Sequence, residues 1–152
     1  MGLIALSASQ LSAVDELLDG GRLGRVPADL NRGSIFAAQA QDAITDLPHL
    51  TRPSNRYNLA YDACHDLGQA LLAAYGYRTT NGPGQHETLG MFFRIVIDGP
   101  PGDRAAQRFD QLRRARNQQR YTGRSISDAE ADLAGQTAST LLASVVDRGV
   151  SG

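Results

Sequence analysis

Chain breakers fall at regular intervals in this sequence: Gly20-Gly21, Pro48, Gly76, the run Asp98-Gly99-Pro100-Pro101-Gly102, and Gly123. Between them, apolar residues recur every three to four positions, the period that one buried helix face demands and that a half-buried strand, alternating every second residue, does not share. The first stretch carries Leu11, Val14, Leu17 and Leu18 behind Ser7 or Ser9 as a cap, and stops at Gly20-Gly21. Arg22 to Arg32 has Gly24, Pro27 and mixed charge without a period, so it reads as a flexible linker.

Ser34 stands as the N-cap of a second helix with Phe36, Ala40, Ala43 and Leu47, which Pro48 ends. A third and longer helix starts at Thr51 or Ser54, tolerates Pro53 in its first turn, and runs through Leu59, Ala63, Leu67, Leu71 and Ala74 to Gly76. Leu89, Phe92, Phe93 and Val96 give a fourth; Ile95-Val96-Ile97 has strand character, but no nearby segment offers it a partner. A fifth runs from about Asp103 to Tyr121. Ser127 and Glu130 form a capping box that opens a sixth, bearing Leu133, Leu141, Leu142, Val145 and Val146.

Short loops between amphipathic helices force neighbours to reverse direction, so the expected architecture is an all-α, antiparallel up-and-down bundle of four to six helices. At 152 residues and 41% apolar content, one core and one domain are expected. No apolar run is long enough to cross a membrane and no secretory leader is evident, so a soluble, cytoplasmic protein is expected. The lone Cys64 can form neither an internal disulfide nor a thiolate zinc cluster.

Charge is unevenly spread. Every basic side chain is arginine, and eight of the fifteen lie from Arg94 to Arg124 against only Asp98, Asp103 and Asp110, a local excess of +5 in a chain of net charge -1. The densest part is Arg113-Arg114-Ala115-Arg116-Asn117-Gln118-Gln119-Arg120-Tyr121. On a helix, Arg113, Asn117 and Tyr121 form one row and Arg113, Arg116 and Arg120 the next, while Phe109 and Leu112 lead onto Arg116 and aim it toward a buried face or cleft. A guanidinium beside an amide and a phenol suits a phosphodiester, since arginine offers a charged bidentate fork and the other two orient an oxygen. The competing account is a surface row of arginines paired with acids such as Asp110 and Asp128, each pair contributing little.

Other groupings are weaker. Asp62, His65 and Asp66 share a face of the third helix, yet they read as solvated rather than as metal ligands, because nothing fixes a ligand count. His86 beside Glu87 reads as a loop-end histidine that caps or faces water, and His49 receives no role. The Gly-Pro loops lack the spacing of phosphate-cradling motifs, and no nucleophile elbow is present. Neither metal nor cofactor is expected.

The run Arg116-Asn117-Gln118-Gln119-Arg120-Tyr121 resembles the motif of HEPN domains, small helical bundles marked by an arginine, commonly a following polar residue, and a histidine after four to six intervening positions. The order of helices from residue 34 to 149 is similar as well, leaving 1–33 as an N-terminal extension. The resemblance implies a composite cleft formed by two copies of the chain and, in many relatives, metal-independent endoribonuclease activity in toxin-antitoxin or defence systems. It assigns Arg116, Asn117 and Tyr121 to the site, and the surrounding charge run adds Arg113, Arg114, Arg120 and Arg124 as expected RNA contacts. It also implies a homodimer and a nucleotidyltransferase or antitoxin as protein partner. Tyr121 stands where the family has histidine, and a phenol that titrates near pH 10 is a poor general base at neutral pH. Binding of RNA or nucleotide phosphate is therefore the expected function, with catalysis left open. The alternative is a non-catalytic dimerisation and interaction scaffold; a DNA-binding regulator is disfavoured, because no helix-turn-helix spacing is visible.

Overall fold

One helix, Pro53–Tyr75 (α3), is surrounded on nearly every side by the rest of the chain in the computed structural model, which describes residues 2–152. Ala60, Tyr61, Ala63, Cys64, Leu67, Ala70 and Leu71 are all fully buried along it. The elements around it are α1 (Ala8–Asp19), β1 (Leu23–Arg25), α2 (Leu30–Asp46), a single 3-10 turn at Leu47–His49, β2 (Tyr77–Thr79), α4 (Gln85–Val96), α5 (Gly102–Thr122) and α6 (Asp128–Asp147). The architecture is the expected all-α bundle, with a two-stranded antiparallel ribbon attached. Among the described residues no helix is long and apolar enough to cross a membrane.

Small side chains explain why α3 can be enclosed. Alanines line it, which lets α2 and α6 approach its backbone closely, and Gly68 does the same for α4. A Cβ at Gly68 would lie 2.3 Å from Leu89 Cδ2 and 2.9 Å from Phe93 Cε2, so this position is where the third and fourth helices interlock. The terminal signals also hold. Ser127 accepts from the Glu130 amide at 3.1 Å while Glu130 accepts from the Ser127 amide at 3.2 Å. Ser7 and Gln10 form a second such box at α1.

Two expectations are corrected. The segment from Arg22 to Arg32 is not a free linker, because its backbone groups are used: β1 pairs with β2 in the register Leu23↔Thr79, Gly24↔Arg78, Arg25↔Tyr77. Beyond the ribbon, Val26 and Asp29 amides donate to the Gly76 and Ala73 carbonyls at 3.0 and 2.8 Å, so the segment is laced to the end of α3. The second helix starts at Leu30 rather than after Ser34, since Asp29 accepts from the Arg32 amide at 2.9 Å and caps a turn earlier. The fourth helix runs as expected through Val96, and Ile95-Val96-Ile97 forms no strand.

From the N-terminal segment, Val14 and Leu23 enter the same core as the bundle. Gln10 of α1 is buried, and its amide donates to the Ile95 and Val96 carbonyls, both at 3.2 Å, occupying acceptors that the end of α4 leaves open. That contact holds α4, whose opposite end borders the site.

Candidate functional site

The middle of α5 is placed by packing: Phe109 and Leu112 are buried, and the Leu112 carbonyl accepts a 2.9 Å hydrogen bond from the Tyr57 hydroxyl of α3. One turn on, on the same face, comes Arg116. Its side chain is only 17% exposed, and its guanidinium carbon lies 4.6 Å from the centre of the Tyr61 ring, within cation-π range. Nη2 is 3.6 Å from the half-exposed Asp62 carboxylate, while the buried Nε has no hydrogen-bond partner. A guanidinium held this way is fixed in direction and incompletely satisfied.

Below it runs a continuous line of rings. Phe93 packs on Phe109, and Phe109 stacks on Tyr61, each at 5.3 Å between centroids. Tyr61 in turn stacks on His86 at 5.9 Å, and His86 lies 4.6 Å from His65. The Tyr61 hydroxyl and His86 Nδ1 are 2.6 Å apart, in hydrogen-bond contact. Burial pushes the Tyr61 phenol up to about 12 against the opposing pull of Arg116, so it remains a neutral hydroxyl. Burial also lowers His86, helped by Arg116 and Arg113 and opposed by Asp62. His65 falls to about 4, through burial first and then through His86 and Arg116, whereas burial and Asp62 raise the Asp66 carboxyl to about 6. Both histidines are therefore neutral near pH 7.

Above the rings opens a cleft of about 700 Å³ between the start of α4, with His86 and Glu87, and the last turns of α5, with Arg113, Arg116, Asn117, Arg120 and Tyr121. Five of the seven residues singled out from the sequence thus converge on one cavity. Tyr121 is at its rim, 85% exposed. Arg120 makes no ion pair among the described residues and carries its charge free beside Arg116.

The other two lie elsewhere. Arg114 points away and pairs with Asp110 at 2.9 Å, the same carboxylate that Arg113 holds at 2.8 Å. Arg124 is tied to Glu130 at 2.6 Å and so belongs to the cap of α6. Asp128, expected as a partner for the arginine row, is held instead by Arg56 of α3. The pairing account of the arginines therefore fits Arg113, Arg114 and Arg124 but leaves Arg116 and Arg120 facing the cleft.

Sequence reasoning missed the floor of the site. Asp62, His65 and Asp66 do share an α3 face, but not a merely solvated one: Asp62 turns to Arg116 and His65 packs on His86. Among the described residues, no three His, Cys, Asp or Glu side chains are grouped to hold a metal ion. His86, expected to cap or face water, is fastened to Tyr61. The available signal was the spacing of Tyr57, Tyr61 and His65, four apart on one helix, which places two phenols and an imidazole in a single row.

Fold and site together define an all-α bundle with a basic, imidazole-floored cleft. Comparison with known families, curated proteins and solved structures finds no match to this chain.

Proposed function

We propose that the chain is a HEPN-like helical domain whose cleft binds single-stranded RNA or nucleotide phosphate through Arg116 and Arg120, with Asn117 and Tyr121 orienting the bound backbone. The observation that carries this reading is the state of Arg116. Its charge is held on the Tyr61 ring, offset only by a carboxylate at 3.6 Å, and its Nε lacks an acceptor. A phosphate oxygen supplies what is missing, a charged acceptor that a planar fork can grip. Tyr121, exposed at the rim, contributes a hydroxyl that binds and orients rather than one that moves a proton. Metal-independent cleavage, in this reading, would have to proceed without the family's motif histidine.

The test is binding of a labelled single-stranded RNA, followed by fluorescence anisotropy over a range of salt concentrations. With two or three phosphates neutralised in the cleft, log affinity should fall against log salt with a slope of about -2. Tyr121→Phe should weaken binding about fivefold, the effect of one neutral hydrogen bond. No binding at low salt, or affinity that ignores salt, would overturn the reading.

A further inference from the structure

We infer that His86 is a phosphate ligand of the cleft, supplied by α4 rather than by the arginine helix, and that it takes up a proton as the anion binds. The inference rests on the phosphate-binding reading and adds to it a residue and a coupling that the arginine run does not contain.

The geometry argues for it in three steps. His86 lines the same cavity as Arg116 and Arg120, across from them, so an anion between α4 and α5 meets both walls. Its Nδ1 is occupied by the Tyr61 hydroxyl at 2.6 Å, which fixes the ring and leaves Nε2 as the nitrogen available to a ligand. The ring also packs against His65, one turn along α3 from Tyr61, so it is a preorganised wall of the cleft rather than a loop side chain free to turn away.

The charges that face His86 explain why the proton should arrive with the ligand. From α3 come the neutral Tyr61 hydroxyl, His65 and the Asp62 carboxylate; from α5 come Arg113 and Arg116, with Arg120 and Tyr121 lining the same cleft. Its neighbour Glu87 is engaged with Arg22 at 4.0 Å. Burial and two guanidiniums outweigh Asp62 and hold the imidazole below its usual range, hence neutral near pH 7. A phosphate seated on Arg116 and Arg120 offsets those guanidiniums and accepts a hydrogen bond from Nε2–H of the imidazolium, so the bound-state value must exceed the free-state value. Affinity is then constant at high pH, rises as pH falls through the bound-state value, and levels off below the free-state value.

Imidazole NMR titration of the whole chain tests this, with inorganic phosphate and a short single-stranded RNA as probes. The His86 midpoint should rise by about one unit on saturation with either probe, which corresponds to about a tenfold gain in affinity at low pH. In anisotropy, RNA affinity should rise as pH falls through the His86 bound-state midpoint and reach about that factor once pH lies below the free-state midpoint. His86→Gln should flatten the profile, whereas Asp66→Asn, which removes the nearby carboxyl raised to about 6, should keep it. RNA that binds without moving the His86 midpoint overturns the inference and leaves the phosphate-binding reading standing. A midpoint that moves with inorganic phosphate in a protein that binds no RNA supports the inference, overturns RNA as the ligand and leaves nucleotide phosphate. If neither probe binds and the midpoint stays put, both are overturned.

Discussion

Phe109→Ala should destabilise the protein by about 4 kcal/mol, the cost of deleting a buried phenyl ring where the surroundings cannot collapse. Phe109 is fully buried and touches rings on both sides, Phe93 of α4 and Tyr61 of α3, so the void would open where three helices meet. Relaxation is hindered on each side. Tyr61 is held by His86 and by the guanidinium above it, and Phe93 is locked against Gly68. Urea unfolding monitored by circular dichroism gives the value, and a loss below about 1 kcal/mol would contradict the packing described. The ring also supports the site, since Tyr61 seats Arg116. RNA affinity should therefore fall in Phe109→Ala even under conditions where the variant is fully folded.

Arg116→Ala should lower RNA affinity by about fiftyfold, the loss expected when a charge-assisted, two-pronged contact to phosphate is removed from a partly buried position. Its unfolding midpoint should change little, because the deletion removes one long ion pair and one cation-π contact together with a buried Nε that has no partner. Arg116→Lys should fall between, as the charge remains but the planar fork and its stacking on Tyr61 do not. Arg114→Ala provides the contrast. That side chain is mostly exposed, lies outside the cleft and is paired with Asp110, so its removal should cost no more than a few-fold. Equal losses for Arg114 and Arg116 would mean that binding follows net charge rather than the cleft.

The difference between these two arginines shows what a sequence carries. Arg116 was legible because its environment is set locally: Phe109 and Leu112 precede it at helical spacing, and the face they bury is the face it occupies. The capping box at Ser127 and the span of α3 were legible for the same reason. What escaped depends on contacts between distant segments. His86 becomes part of the site only because α4 lies against α3 at Gly68, and nothing near His86 in the sequence announces Tyr61. The ribbon escaped likewise, since strands of three residues are too short to show a period. The acids that hold Arg114 and Arg124, Asp110 and Glu130, lie outside the cleft, and a run of charges does not say which of its members an acid will hold.

The ribbon also bears on the order in which the chain assembles. Its strands flank α2 and α3, so Leu23 can meet Thr79 only when the whole α2–α3 hairpin is bridged, and closing that loop before the hairpin exists carries an entropy cost with little return. Once α2 has packed along α3, the two strand segments are delivered to the same end and the cost has largely been met. The ribbon, with α1 behind it, is thus a late clasp on an early hairpin. Removing the buried Leu23 side chain by Leu23→Ala should accelerate unfolding while leaving the folding rate nearly unchanged, as stopped-flow kinetics would reveal. An equal slowing of folding would place the clasp in the nucleus instead.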